Sequence, residues 1–166
     1  IAEKVETKII NLGGKPAFPA DIGIGYVAAH DSPAFNDERI LKKGDVVKLD
    51  LGVHVNGAIS DTAVTVEIDS DDHEELIRSA EEALEKAIEI ARPGVEIRII
   101  GKIIQETIQK YGFSPIINLS GHGVDLYEVH TKPSIPNYDN GDKTVLKEGQ
   151  IIAIEPFATT GEGRVT

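Results

Sequence analysis

Apolar residues recur at two different spacings along this chain, and each spacing predicts a different kind of element. Residues 1–9 carry an apolar side chain at every fourth position, which predicts a helix that runs to about Leu12 and ends at Gly13. The following segment contains Pro16 and Pro19 and is predicted as a loop. Apolar and polar residues then alternate, which predicts a strand over residues 46–55 with two distinct faces.

The Asn56-Gly57 pair that follows this strand is a strong signal for a two-residue hairpin turn. Residues 58–68 are predicted to return as the second strand. If the residues that flank the turn pair with each other, Asp61 lies opposite Gly52 and diagonal to Asp50. The two aspartates are therefore predicted to share one face of the hairpin, roughly 7 to 8 Å apart at the backbone.

Two amphipathic helices are predicted after the hairpin. The first begins with a capping box formed by Asp71 and Glu74 and ends before Gly94, and the second stops near Gly112. Further strands are predicted at residues 115–119 and 151–157. This order of strands, helices and strands predicts an α+β fold, with an antiparallel sheet covered by helices on one side.

Composition narrows the classes of function. The chain has 166 residues, of which 40% are hydrophobic, and this size predicts a single domain with one substantial core. Cysteine is absent, so a metal would have to be held by oxygen and imidazole groups. The net charge of -11 argues against a nucleic-acid partner, and no apolar run or signal segment indicates a membrane. A soluble, cytoplasmic protein is expected.

The two ends of the sequence suggest a fragment. The first helical pattern begins at Ile1 without an initiator methionine or a capping residue, and the chain stops at Thr166 just after a glycine-rich turn. We therefore expect residues 1–166 to be one catalytic domain that lacks an initial segment and later elements.

Several polar residues are candidates for chemistry. Two like charges at Asp50 and Asp61 would need a cation, although both could instead be solvated acids on an exposed face. Glu155 lies in the apolar run 151–157, where a carboxylate requires a metal, a lysine partner or a place at the exposed end of the strand. His122 stands between two glycines that would let a ligand approach, but alone it would more often be a loop histidine. His54 is interpreted as structural.

Taken together these segments resemble the methionine aminopeptidases, members of the pita-bread (creatinase/aminopeptidase) fold that prolidase and aminopeptidase P also use. The residues in and around the motifs resemble those of the archaeal type II branch, and the resemblance covers essentially the whole chain. Its motifs are Ala28-Ala29-His30, the Asp50 and Asp61 pair, Gly57 to Val66 (GAISDTAVTV), Asn118-Leu119-Ser120-Gly121-His122, His130, and Ala153-Ile154-Glu155-Pro156-Phe157.

The resemblance implies two divalent metal ions, which would be cobalt, manganese, iron or zinc. It makes Asp50 a ligand of one ion, Asp61 a bridge between both, and His122 and Glu155 ligands of the other. A fifth ligand, a second bridging glutamate, is expected downstream of a helical insertion and outside this chain. C-terminal strands are expected to be missing as well.

The resemblance also implies a substrate and a set of catalytic residues. It predicts removal of the initiator methionine from peptides and nascent proteins, with His30, His130 and Glu155 as catalytic residues. Phe18 and Val129 are expected to line the substrate pocket together with the two histidines. It further implies that His30 is the nucleophile trapped by fumagillin-type epoxides.

Two alternatives to this function stay open. One is a peptidase of the same fold that acts on X-Pro bonds, and the other is a catalytically silent homologue that serves as an interaction scaffold. The complete protein is expected to be a monomer without nucleic-acid or membrane partners.

Overall fold

The computed structural model describes all 166 residues, which form two compact units. The first unit comprises Ile1–His73 with Asp125–Val129, and the second comprises Glu74–Val124 with His130–Thr166. The strand pairs with a defined register are antiparallel in both units, and helices are present in both. The predicted α+β class is therefore confirmed. No helix combines the length and the apolar character that crossing a membrane requires.

The first unit contains one helix and a three-stranded sheet. Its elements are α1 (Ala2–Asn11), β1 (Lys15–Ile24), β2 (Val46–Val55) and β3 (Ala58–Glu67), with the strands in the order β1-β2-β3. The predicted first helix and the predicted hairpin are both confirmed. Gly13 follows the helix with φ +89°, a conformation that glycine adopts without steric cost.

Strand β1 corrects the prediction of a loop around Pro16 and Pro19. A proline cannot donate to a sheet ladder, so the two prolines argued against a strand. The structure accommodates them because β1 lies at the edge of the sheet and its pairing with β2 is irregular on both sides of Phe18. Edge positions and bulges are the places where a strand tolerates proline.

The second unit contains two helices and short strands around an isoleucine-rich core. Its elements are α2 (Glu74–Ile90), α3 (Ile97–Lys110), β4 (Ser114–Pro115), β7 (Ile151–Ala153) and β8 (Ala158–Thr159), together with β5 (Ser120–Asp125) as far as Val124 and β6 (Glu128–Pro136) from His130 onward. The strands form two sheets, with orders β6-β5-β7 and β4-β8. Ile100, Ile104 and Ile108 of α3 are fully buried and cluster with Ala83 and Ala87 of α2. Burial of these spaced apolar residues explains why both predicted helices form.

The predicted capping box at the start of α2 is wrong. The helix begins at Glu74, three residues after Asp71. The backbone N–H of His73 instead donates to a carboxylate oxygen of Glu67 at 2.8 Å, and the imidazole contacts the other oxygen at 2.9 Å. Glu67 of β3, rather than the Asp71–Glu74 pair, therefore accepts the backbone N–H that directly precedes α2.

Strand predictions in the last third of the chain were only partly correct. The predicted strand at 115–119 overlaps β4 only at Pro115, and the one at 151–157 is reduced to the three residues of β7. Pro156 has no N–H to donate, and Ile151 is 59% exposed, so this apolar run is not a fully buried strand. Strands β5 and β6 were missed because their turn at Leu126 and Tyr127 carries no glycine or asparagine signal.

One ion pair in this unit generates a pH prediction. The ammonium of Lys86 and the hydroxyl of Tyr111 donate to Glu82 and hold the pKa of its carboxyl at about 2. A lowered pKa stabilises the fold above the ordinary value of 4.5, and that contribution is lost as pH falls toward 2. We expect Glu82→Gln to lower the melting temperature at pH 7, with the difference from the unaltered protein shrinking between pH 4.5 and 2. Glu81→Gln on the same helix is the control, and an equal effect of both substitutions would contradict the prediction.

Candidate metal centre

The β2–β3 hairpin places two aspartates on one face of its sheet. Gly52 pairs with Asp61 and Asp50 pairs with Ala63, so the predicted register is confirmed. Side chains of residues that pair directly, or that lie two apart on one strand, point to the same side of a sheet. Asp50 and Asp61, both partly buried, therefore form a carboxylate pair across neighbouring strands.

Gly52 leaves room on this face for an aromatic ring. Phe18 of β1 pairs with Gly52, and a Cβ atom added to the glycine would lie 2.3 Å from Cε1 of the phenylalanine. The ring therefore occupies the volume that a side chain at position 52 would fill. An apolar wall consequently borders the carboxylate pair within the first unit.

His122 and Glu155 form a second group within the second unit. The imidazole Nε2 lies 2.9 Å from Oε1 of the glutamate, and the histidine side chain is only 11% exposed. The other ring nitrogen, Nδ1, lies 3.0 Å from the carbonyl oxygen of Gly123. Because a carbonyl oxygen can only accept, Nδ1 carries the proton, and in the neutral ring Nε2 carries the lone pair.

The imidazole of His130 packs against that of His122. The ring centroids are 4.3 Å apart and the planes meet at 68°, which is an edge-to-face contact. Antiparallel pairing with β7 places His122 opposite Ala153, two residues before Glu155. Three of the predicted site residues, His122, His130 and Glu155, are therefore brought together in this unit.

Glu155 does not lie in a buried strand, as the sequence suggested. It follows β7 in an irregular segment, and its side chain is 30% exposed. Its Oε1 lies beside the imidazole of His122, a neighbour that the sequence of this segment did not predict.

The remaining predicted residues lie in the first unit. His30 is exposed, stands in the loop after β1 and has φ +60°. Val129 is partly buried at the start of β6. His54 accepts a 3.3 Å hydrogen bond at Nδ1 from the N–H of Gly57 and packs against Tyr127, so its interpretation as structural is confirmed.

Sequence reasoning missed one acidic residue on the carboxylate face. Asp21 of β1 pairs with Asp50 and is buried, with 8% of its surface exposed. The sequence does contain a signal for this residue, because Asp21 is an acid among the apolar residues that follow Phe18, and such an acid stands out in a strand. It went unnoticed because Pro16 and Pro19 led to the prediction of a loop.

The chemistry of these groups suits divalent metal ions. Aspartate, glutamate and histidine provide hard oxygen donors and imidazole nitrogen, which manganese, iron, cobalt and zinc all accept. The contact between Nε2 of His122 and Oε1 of Glu155 brings two lone-pair donors to 2.9 Å, which is repulsive unless a proton or a cation lies with them. The residues present therefore fit a metal site.

Comparison with known proteins agrees with this chemistry. Residues 1–165 match the family described as metallopeptidase family M24. The chain belongs to metallopeptidase family M24. This membership supports the use of a divalent metal.

Comparison with individual proteins shows which members of the M24 family this chain is similar to. A methionine aminopeptidase of Pyrococcus horikoshii is 54% identical over 99% of this chain and 56% of its own length. The crystal structure of methionine aminopeptidase from Thermotoga maritima matches with a TM-score of 0.89 and 36% identity, covering 99% of this chain and 71% of that one. Prolidase from P. horikoshii gives a TM-score of 0.76 and 37% identity, covering 93% and 44%. The implied pita-bread fold is confirmed, and the chain spans about half the length of the curated relatives it matches.

The contact between Gly52 and Phe18 generates a stability prediction. Gly52→Ala forces its methyl group against the phenylalanine ring, and we expect it to lower the free energy of unfolding by about 1 to 3 kcal/mol, measured by urea denaturation. Gly161→Ala is the control, because its Cβ would meet only Oγ1 of Thr159 at 3.4 Å. Adding Phe18→Ala to the Gly52→Ala chain should relieve part of the clash. Equal stability of the two alanine variants at positions 52 and 161 would refute the packing argument.

Proposed function

We propose that this chain carries catalytic residues of a metal-dependent aminopeptidase that removes N-terminal methionine from peptides and nascent proteins. The observation that carries the proposal is its 54% identity, over 99% of the chain, to a methionine aminopeptidase. The carboxylate pair and the group around His122 supply chemistry that such a reaction needs. The proposal places the reaction in the cytoplasm and the complete enzyme in a monomeric state.

The proposed metal ligands come from both groups of residues. In this proposal Asp50 would hold one ion, Asp61 would be shared by both, and His122 and Glu155 would hold the other. Asp61, His122 and Glu155 together offer two carboxylates and one imidazole, a donor set of the kind that holds a divalent ion. The ions proposed are two of cobalt, manganese, iron or zinc.

The proposed mechanism is hydrolysis of the first peptide bond by water. Divalent ions bound there would supply a water of lowered pKa and a Lewis acid for the peptide carbonyl. Glu155 accepts the proton of the attacking water and returns it toward the departing amine. His130 donates a hydrogen bond to the oxygen on which negative charge develops, and His30 hydrogen-bonds the amide nitrogen.

The proposed pocket for the methionine side chain includes Phe18 and Val129. Methionine is apolar and flexible, so an aromatic wall beside the carboxylate pair is a suitable neighbour. The packing of His130 against His122 restricts the ring that must meet the substrate. A ring held in one orientation stabilises developing charge without reorganisation during the reaction.

Two other functions can be separated from this one by simple assays. An X-Pro peptidase would cleave an X-Pro dipeptide in preference to a Met-Gly-Gly peptide, and a similarity of 37% to a prolidase structure makes this comparison worthwhile. A silent scaffold would cleave neither. The higher identity to methionine aminopeptidases favours cleavage of the Met-Gly-Gly peptide.

Asp61→Asn tests the bridging carboxylate. A neutral amide cannot bridge two cations as a carboxylate does, so the full-length variant should retain less than about a tenth of methionine release. Its metal content, measured by elemental analysis, should also fall. Asp71→Asn, an exposed aspartate of the same unit, is the matched control. Normal metal content and turnover in Asp61→Asn would exclude the bridging role.

His30 should be the residue that a fumagillin-type epoxide alkylates. It is an exposed imidazole, and a neutral ring nitrogen can open an epoxide. Peptide mapping of the full-length protein after treatment should locate the adduct on His30, and His30→Asn should prevent it. His73, another partly exposed imidazole, is the internal control. An adduct on any other residue would contradict the placement of His30 at the reacting end of the substrate.

A further inference from the structure

Asp21 is a buried carboxylate whose recorded partner is a neutral hydroxyl. Ser32 donates its Oγ–H to Oδ1 of this aspartate. Lys48, which lies on the same face two residues from Asp50, directs its ammonium to the carbonyl oxygen of Gly25 at 2.8 Å. Burial of a carboxylate is costly unless hydrogen bonds compensate it, so the bond from Ser32 is structurally important.

The Asp21–Ser32 bond ties a loop to the sheet immediately beside His30. The carbonyl oxygen of Asp31 accepts a 2.8 Å hydrogen bond from the N–H of Ile22 on β1. The two residues that directly follow His30 are therefore both attached to β1. His30 is the last residue before this attachment and is itself exposed.

The backbone of His30 adopts a conformation that needs support. Its φ of +60° lies in the left-handed region, which residues other than glycine seldom occupy. Such conformations persist when surrounding contacts determine them. The attachments of Asp31 and Ser32 to β1 supply contacts of this kind.

The ion pair between Arg39 and Asp31 in the same loop is less suited to fixing the backbone of His30. Arg39 pairs with the carboxylate of Asp31 at 2.6 Å, but the arginine side chain is 43% exposed. Exposed ion pairs contribute little to holding a geometry, because water and salt screen them. The bond between Ser32 and Asp21 is partly buried and ends on a carboxylate that is only 8% exposed, so it is the stronger restraint.

We propose that Asp21 and Ser32 are positioning residues that fix the backbone conformation of His30 and hence the direction of its imidazole. This inference rests on the proposed function only in that it takes His30 as the group beside the scissile amide. Neither residue touches the substrate in this role. Their effect is transmitted through the loop that Asp31 and Ser32 attach to β1.

The first test removes and then restores the hydroxyl in the full-length protein. Ser32→Ala should reduce kcat for a Met-Gly-Gly peptide by about tenfold or more with little change in KM, because small displacements of a catalytic group are costly. Alkylation of His30 by a fumagillin-type epoxide should slow to a similar extent. Ser32→Thr, which keeps the hydroxyl, should restore both rates to within about threefold of the unaltered protein.

Two controls separate positioning from general damage. Ser70→Ala removes another serine hydroxyl that donates to a carboxylate, that of Asp72 at 3.0 Å, and should leave both rates unchanged. Arg39→Ala removes the exposed ion pair of the same loop and should also have little effect. A loss in Arg39→Ala as large as that in Ser32→Ala would overturn the assignment of the restraint to the Asp21–Ser32 bond.

The second test changes the acceptor. Asp21→Asn keeps an oxygen that can accept from Ser32 and should preserve most of kcat, whereas Asp21→Ala should behave like Ser32→Ala. A crystal structure of Ser32→Ala should show that the φ of His30 has left the value near +60°. Unchanged φ in Ser32→Ala, or equal activity of the two Asp21 variants, would overturn the proposal.

These outcomes distinguish this inference from the proposed function. If the unaltered full-length protein releases no methionine, the proposed function is wrong, and the φ of His30 in the Ser32→Ala crystal still decides whether the bond positions the loop. If methionine is released and Ser32→Ala matches the unaltered protein in kcat and alkylation rate, only the positioning role is wrong.

Discussion

The register of the β2–β3 hairpin is the constraint on which the carboxylate pair depends. A slip of one residue would move every side chain of one strand to the opposite face, so Asp50 and Asp61 share a face only while Gly52 pairs with Asp61. The turn fixes that register, because Asn56 and Gly57 both adopt the positive φ that a two-residue hairpin requires. Phe18 then fills the space above Gly52 and joins the edge strand to the same face.

The glycines on both sides of His122 likewise allow close packing that fixes the position of this residue. A Cβ atom at Gly121 would lie 2.2 Å from the carbonyl oxygen of Ala153, and one at Gly123 would lie 2.3 Å from that of Lys132. Both glycines therefore allow close approach of neighbouring backbone. His122 is held between them with Nδ1 on the Gly123 carbonyl, and that contact leaves Nε2 oriented toward Glu155. Backbone packing thus determines which ring nitrogen meets the carboxylate.

Burial divides the polar residues into those that hold geometry and those that remain adaptable. Asp21 and His122 are largely buried, and each is fixed by a hydrogen bond to a nearby group. His30 is exposed, yet its backbone is restrained by its neighbours in sequence. Under the proposed function His30 meets a peptide from solvent, and a restrained main chain that carries an accessible imidazole suits that role.

The sequence by itself determined the hairpin, its register and the three helices, because each rests on local rules of spacing and turn chemistry. It also suggested the family through short motifs such as the one that ends at His122. Only the tertiary structure decided that β1 is a strand, since its irregular edge pairing overrides the usual effect of proline. Contacts between separate segments likewise placed Glu67 of β3 at the start of α2, Glu155 beside His122 and Ser32 on Asp21. Such contacts depend on how separate elements pack, and no local pattern of residues encodes them.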